Sequence, residues 1–381
     1  MVRTRIAPSP TGYLHIGTAR TALFNFLFAK KHGGVFVLRI EDTDIERGDR
    51  AFEADIFESL DWLGIKADES PARGGEYGPY RQSERIGTYT PRLEQLLAEG
   101  KAYYCPHTEP ELEAEKRTLM AAGKNPVHAC EHRDGGVGEG PAPEQARYGA
   151  GIIRFKTPVG RTIQFQDLIR GKISFESDLL GDFSIAKDLK TPLYNFAVVI
   201  DDHEMQITHV IRGEDHISNT PKQMLIAEAL GRPQPAYAHL PLILGPDRAK
   251  LSKRHGAASI REFREQGYLP EALTNFMALL GWNPAPEQSS VRGRPRAEER
   301  EIFSMQELTE LFSLEKVQKA GAVFNIEKLD WMSGEYIKRK GTEELAAIVA
   351  ERGYLSGFAL SDIQGTLRLE LPRLKKLSEL A

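Results

Sequence analysis

The chain has 381 residues, 41% of them hydrophobic, and carries 50 Lys and Arg against 54 Asp and Glu for a net charge of −4. Such a length buries large cores and predicts two to four domains of a globular protein, and the near-balanced charge puts any nucleic-acid contact on local patches instead of bulk charge. The start, Met1-Val2-Arg3-Thr4-Arg5, lacks the apolar run of a signal peptide, and no stretch approaches the ~18 apolar residues of a membrane span, so the expected compartment is the cytoplasm. Two cysteines, Cys105 and Cys130, are too few for a disulfide framework and are expected as thiols.

From Arg3 to Thr18 the sequence reads as a short strand, a turn rich in Pro, Ser and Gly, and a helix start. Ala19, Leu23, Phe26, Leu27 and Lys30 recur at three- and four-residue steps until Gly33-Gly34. Val35 to Ile40 has strand composition, so the opening predicts a right-handed βαβ unit with parallel strands. Both strand C-termini then open on one edge, where Ala7 to Ser9 face Glu41 and Asp42 across a ligand crevice. A helix over 50–63 follows, with Phe52, Ile56, Phe57, Leu60 and Leu63 on one face. After a Gly- and Pro-rich loop at 70–82, Tyr89, Leu93, Leu96 and Leu97 mark another helix that ends at Gly100.

At Lys101 the composition shifts, and residues 101–191 read as an inserted α+β domain: a charged helix near 109–122, a Gly/Pro-rich segment at 135–151, and strands at 152–156, 162–166 and 172–176. Apolar strands are predicted at 196–200 and 206–211, then a helix near 222–230 and an apolar run at 240–244. These form the second half of an α/β domain, residues 1–100 and 192–255. Helical patterns fill 256–320 and 321–381, with Leu273, Phe276, Met277 and Leu280 on one stripe and Leu308, Leu311 and Phe312 on another. The polar stretch 283–300 between them predicts a mobile surface loop.

A histidine beside a helix N-terminus, with free N–H groups and the positive dipole end, suits a polyphosphate; Gly17 lets such a ligand approach the backbone. Two lysines in Lys250-Leu251-Ser252-Lys253-Arg254 would suit phosphate charge, or form a plain surface patch. The opening Arg-Ile-Ala-Pro-Ser-Pro-Thr-Gly with His15-Ile16-Gly17-Thr18, then Arg39-Ile40-Glu41-Asp42-Thr43-Asp44, then this loop, together resemble the signatures of class I aminoacyl-tRNA synthetases, and among them the glutamyl-tRNA synthetases. The 250–254 segment is similar to that family's Lys-Met-Ser-Lys-Ser loop.

The resemblance implies a Rossmann-like parallel-sheet catalytic domain, an inserted acceptor-binding domain, and an α-helical C-terminal region reaching the tRNA. It implies a monomer that ligates L-glutamate to tRNA(Glu) through a glutamyl-adenylate, with ATP and Mg2+, and that needs tRNA present for activation. His15, Gly17, Lys250, Ser252 and Lys253 match the catalytic signatures. Arg5, Ala7, Ser9, Glu41, Tyr194, Val198 and Arg212 match the amino-acid pocket, with the arginines on carboxylate and Glu41 on the ammonium. Ser9, His15, Gly17, Asp215, Ile243 and Lys253 match the ATP site. A carboxylate attacking the α-phosphorus is already ionised at neutral pH, so positioning and charge stabilisation carry such a reaction, without a general base.

Cys105-Pro106-His107 and Cys130-Glu131-His132 repeat a Cys-x-His pair. They are either small buried thiols with unrelated histidines or the four ligands of a structural Zn2+. Some bacterial glutamyl-tRNA synthetases carry zinc at this place, with Cys-x-Cys in the first half. The basic runs Lys338-Arg339-Lys340 and Arg373–Lys376 read as solvated helix faces or as phosphate contacts.

Three alternatives stay open. One is the shorter paralogue that glutamylates queuosine in tRNA, against which the helical region after 256 and the intact 250–254 loop speak. A glutaminyl enzyme would resemble Pro-Glu-Pro-Asn-Gly where this chain has Pro8-Ser9-Pro10-Thr11-Gly12. The third is a non-catalytic, synthetase-derived tRNA-binding protein, opposed by retention of both signatures. The resemblance runs to about residue 376, where glutamyl-tRNA synthetases continue into further anticodon-binding helices. The expectation is therefore a piece of a longer protein or a chain without full anticodon reading, and whether tRNA(Gln) is also charged is left undecided.

Overall fold

The computed structural model of the chain describes residues 1–43, 49–134, 151–252, 259–284 and 300–381. Strands β1 (Arg3–Ile6) and β2 (Val35–Leu38) pair in parallel, with Arg3 opposite Val35 and Ile6 opposite Leu38, and helix α1 (Ile16–Lys31) crosses between them. The chain continues through α2 (Arg50–Trp62) and α3 (Ile86–Ala98) into β3 (Ala102–Cys105), α4 (Glu109–Ala121), β4 (Ile152–Phe155), β5 (Thr162–Asp167), β6 (Gly171–Glu176), β7 (Phe183–Asp188) and β8 (Thr191–Pro192). Helix α5 (Tyr194–Glu204) leads to β9 (His209–Gly213), α6 (Thr220–Ala229), β10 (Ala236–Leu240) and β11 (Ile243–Leu244).

Strands β9 and β10 are parallel, in register from His209 opposite Ala236 to Gly213 opposite Leu240. Thr208 donates its N–H to the Arg3 carbonyl at 3.0 Å, so the foot of β9 abuts β1 and extends the parallel arrangement. Buried Asn25 of α1 keys the layers together: its Nδ2 donates to the Thr21 and Ile211 carbonyls, while the Thr4 hydroxyl donates to the Asn25 carbonyl. All three are local solutions to the requirement that buried polar groups be paired.

The insert is divided. β3, β4, β7 and β8 make an antiparallel sheet, whose Ile153, Phe155, Phe183 and Ile185 pack with α3, α5 and α6. The β5–β6 hairpin instead joins the parallel sheet, with Tyr237 of β10 opposite Asp167. The helical part comprises α7 (Ile260–Glu265), α8 (Pro270–Leu279), α9 (Met305–Leu311), α10 (Ile326–Arg339), α11 (Thr342–Glu351) and α12 (Leu360–Glu370). Its first four helices share one core with the opening unit, where Phe24 and Leu27 of α1 lie with Leu273, Phe276, Leu308, Phe312 and Leu329, while α11 and α12 pack a separate cluster around Leu345, Val349, Ile363 and Leu367. A short strand between α9 and α10, β12 (Ala322–Val323), pairs with β11 in parallel.

The segment 196–200, expected as a strand, is helical within α5. Every residue from Phe196 to Asp202 is buried, so the helix has no polar face to reveal a 3.6-residue period. The strand expected at 206–211 begins at His209, after Gln206 turns with φ of 56°. β3 and β7 were not predicted, although Phe183 and Ile185 alternate inward. Of the expected segments 135–151 and 283–300, residues 135–150 and 285–299 lie outside the described residues. Among the described residues no helix is long and apolar enough to cross a membrane.

Candidate active site

At the C-terminal edge of β1, β9 and β10 lies a cleft of about 1300 Å³. Arg5, Ala7, Ser9, His15, Gly17, Glu41, Tyr194, Arg212, Asp215, Ile243 and Lys250 all line it. Residues spread over some 245 positions of sequence thus meet where parallel strands release their C-termini, the usual ligand edge of such sheets. Val198 does not line the cleft; it packs in the core beneath α5. Leu251 lines the cleft, Ser252 beside it is half-buried and outside the lining, and Lys253 lies outside the described residues.

His15 is the N-cap of α1, and its Nδ1 accepts the Gly17 N–H at 3.0 Å. An accepting Nδ1 requires the proton on Nε2, and among the described residues no hydrogen bond takes that N–H. Burial, reinforced by the Lys250 ammonium, pushes the His15 pKa down and favours this neutral form. A Cβ on residue 17 would stand 3.3 Å from His15 Nδ1, which is the local demand for glycine.

Beneath the cleft runs a buried charge network. Asp202 accepts from Arg5 Nε at 3.2 Å and from Arg39 Nη1 at 2.7 Å; Arg39 Nη2 reaches Glu41 at 3.2 Å. Asp201 accepts from Arg85, Gln82 and Tyr89. Burial alone would raise the Asp202 pKa, but Arg5 and Arg39 hold it below the usual carboxylate range. In Glu41 burial prevails over Arg39 and Arg5, and its pKa rises. The Ser9 hydroxyl donates to the Glu41 carbonyl at 2.8 Å, tying the first turn to the end of β2.

Arg212 is different. It is 5% exposed, and its partners are all neutral: His239 Nε2 at 3.2 Å, Gln223 Oε1 at 2.8 Å, Thr220 Oγ1 at 2.8 Å and the Tyr194 hydroxyl at 3.5 Å. No carboxylate pairs with it among the described residues. Burial, the leading cause, pushes its pKa down. A buried cation without an anion is a costly arrangement, and here it faces an open cleft. Next to it, burial and Arg212 lower His216 to about 4, so that ring is neutral.

Lys250 pairs with Asp215 at 2.8 Å across the cleft mouth. Burial would raise Asp215, yet Lys250 holds it low. Sequence reasoning missed Asp202, Arg39, Thr220, Gln223 and His239. A signal existed for two of them: Arg39 follows an apolar strand and Asp202 follows an apolar run, places where a charge demands a buried partner.

In the insert, the ligand atoms of Cys105, His107, His128 and Cys130 lie within 4.8 Å of one another. His128 replaces the expected His132, which lies at the edge with Nδ1 3.8 Å from Cys130 Sγ. His128 comes from the chain just before Cys130, and the Cys-x-His spacing does not single it out. Cys105 Sγ stands 3.5 Å from both His107 Nδ1 and His128 Nε2, and Cys130 Sγ 3.7 Å from His107 Nδ1. His128 Nδ1 meets the Glu115 carboxylate.

Residues 1–331 match the family described as tRNA synthetases class I (E and Q), catalytic domain. The chain is 53% identical to a glutamate–tRNA ligase of Carboxydothermus hydrogenoformans over 92% of its own length and 69% of that protein. It is 49% identical to glutamate–tRNA ligase 2 of Rubrobacter xylanophilus over all of its length and 73% of that one. A crystal structure of a glutamate tRNA ligase from Elizabethkingia meningosepticum, in complex with its amino acid, superimposes with a TM-score of 0.86 at 38% identity, covering 100% of this chain and 78% of that one. With its two signatures converging on one parallel-sheet edge, the chain belongs to the class I tRNA synthetases of the glutamate and glutamine group.

Proposed function

We propose that the chain ligates L-glutamate to tRNA at the expense of ATP. The carrying observation is Arg212, a buried guanidinium with only neutral partners, opening on a cleft that also holds His15 at a helix N-terminus. Among the described residues Arg212 has no carboxylate partner, which a substrate carboxylate would supply, and Arg5, whose Nε is taken by Asp202, has two terminal nitrogens left for a second carboxylate. Glu41 receives the ammonium, with Ala7, Ser9 and Tyr194 shaping the pocket, and Val198 supports it only through packing.

In this reading the α-carboxylate attacks the α-phosphorus of ATP, and the electron pair of the broken P–O bond leaves on pyrophosphate. The Nε2–H of His15 and the N-terminus of α1 stabilise phosphate charge, Gly17 and Ile243 flank the nucleotide, and Lys250 exchanges Asp215 for the departing pyrophosphate together with Ser252 and Lys253. A ribose hydroxyl of the tRNA end then displaces AMP from the acyl-adenylate. Mg2+ accompanies the nucleotide. Residues 101–191 receive the acceptor end, and 256–320 and 321–381 the rest of the tRNA, in a monomer. Measuring glutamylation of purified tRNA(Glu) and tRNA(Gln), with ATP and with His15→Ala and Lys253→Ala variants, tests this; unchanged rates in both variants would refute the assignment. A queuosine-directed activity is distinguished by tRNA(Asp) as the acceptor.

Cys105, His107, His128 and Cys130 would hold Zn2+. Zn–S of ~2.3 Å and Zn–N of ~2.0–2.1 Å place tetrahedral S and N ligands about 3.5 Å apart, which matches the Cys–His separations. Glu115 supplies the carboxylate that fixes a ligating imidazole. The ion would serve as a structural cross-link.

A further inference from the structure

We infer that His239, Thr220 and Gln223 form a neutral cage that aims Arg212 without an internal counter-charge, with Asp167 behind it fixing the His239 tautomer, and that this cage sets the preference for a substrate bearing a side-chain carboxylate over one bearing an amide. The inference rests on the reading that Arg212 receives the substrate's side-chain carboxylate.

The cage is built one layer behind the arginine. Asp167 Oδ1 accepts the N–H groups of Ile169 at 3.0 Å and Arg170 at 2.8 Å, and its Oδ2 lies 2.6 Å from His239 Nδ1. Those bonds outweigh the opposing effect of burial and keep Asp167 ionised, so it can only accept. His239 Nδ1 must then donate. Its Nε2 faces the Arg212 Nε–H at 3.2 Å and serves as an acceptor, which requires the neutral ring; a second proton there would set two donors against each other. The Asp167 charge is therefore converted into a fixed tautomer and kept one ring away from Arg212.

Gln223 repeats the device with an amide. Its Nε2 donates to Asn195 Oδ1 at 3.0 Å, which turns Oε1 toward Arg212 Nη1. Thr220 Oγ1 accepts from Nη2 and lies 3.1 Å from His239 Nε2. The contrast is with Arg5 and Arg39, each bonded directly to Asp202. A carboxylate at position 223 would satisfy Arg212 internally and remove the advantage of an anionic ligand.

The test is steady-state aminoacylation with tRNA(Glu), reading KM for glutamate, KM for ATP, and competition by glutamine. Gln223→Glu is expected to lower kcat/KM for glutamate by 100-fold or more, to leave KM for ATP within twofold, and to shrink the glutamate-over-glutamine preference by at least tenfold. Gln223→Met, which removes the acceptor without adding charge, is expected to cost several-fold with the preference intact. Equal loss of preference in both, or none in Gln223→Glu, overturns the cage. If Gln223→Glu shows no cooperative melting transition, His239→Gln and His239→Phe decide: the glutamine restores an acceptor and keeps activity within fivefold, while phenylalanine loses at least tenfold, and identical values overturn the proposal. Arg212→Ala tests the underlying reading separately, because an unchanged glutamate KM in that variant refutes the role of Arg212 itself.

Discussion

Removing the metal proposed for the Cys105–Cys130 cluster should release one helix and little else. α4 spans 13 residues, Glu109–Ala121, and none of them is buried. Isolated helices below ~12–15 residues are marginal in water, so its Thr108 capping box cannot hold it alone. The apolar cluster at its base is limited to Tyr103, Cys105 and Cys130 with Ile152 against them. Exposed ion pairs such as Lys116–Glu113 add ~0–1 kcal/mol each. Structural Zn2+ in small finger peptides contributes an apparent ~10–16 kcal/mol, an order of magnitude above everything else that anchors α4. Hydrogen exchange read by mass spectrometry, before and after a tight chelator, measures the difference. Protection across 109–121 should fall at least 100-fold toward free-peptide rates, while α8, whose residues Ala272 to Ala278 are buried, should keep its protection. Equal exchange in both states, or purified protein with reduced cysteines and no stoichiometric metal, would refute the reasoning.

Gly17→Ala should separate folding from activity: alanine raises helix propensity by up to ~1 kcal/mol, yet its Cβ presses on His15 Nδ1, so melting is expected unchanged or higher while kcat/KM for ATP falls about tenfold. Asp202→Asn removes the charge shared by Arg5 and Arg39 and should lower unfolding stability by about 3–5 kcal/mol in urea titrations; a loss below ~1 kcal/mol would show that the two guanidiniums are otherwise satisfied. Acid should act in two stages. His216, lowered to about 4, and His15 and His239, also lowered, bind fewer protons folded than unfolded, so stability falls as pH drops from ~6.5 toward 4. Asp167 and Asp202, with depressed pKa values, contribute stability above ~4 that is lost as pH falls further. Unfolding free energy measured from pH 7 to 3 checks both, and a flat profile between 6.5 and 4.5 contradicts the first.

The opening βαβ unit was legible because each of its parts carries a local signal: the Gly33-Gly34 stop, the strand composition of 35–40, and a turn that only a helix N-terminus follows. The cleft was legible through its signatures, since His15, Glu41, Arg212 and Lys250 all line it. What holds them was not. Asp202 and His239 make their contacts across 197 and 72 positions of sequence, and nothing in a linear pattern reports a partner at that range. The same holds for α5, where uniform burial erased the helical period, and for His128, which joins the Cys/His cluster without any spacing signal of its own. The structure also redistributes emphasis between the two arginines: Arg5 shares its charge with Asp202, and Arg212 keeps its own.

α1 is fastened to the helical region at both of its ends. Near the start, Arg20 donates to the Leu280 carbonyl at 3.1 Å and to the Pro241 carbonyl, its pKa pushed down to about 10 by burial; at the far end, Lys31 donates to the Phe312 carbonyl at 2.7 Å. A helix pinned in this way behaves as a beam clamped at two points. Its clamps on the helical side are the main chain at Leu280 and at Phe312, and the tip of the beam is His15. Breaking either tie, by Arg20→Ala or Lys31→Ala, is therefore expected to reach the cleft at His15 from the opposite side of the molecule.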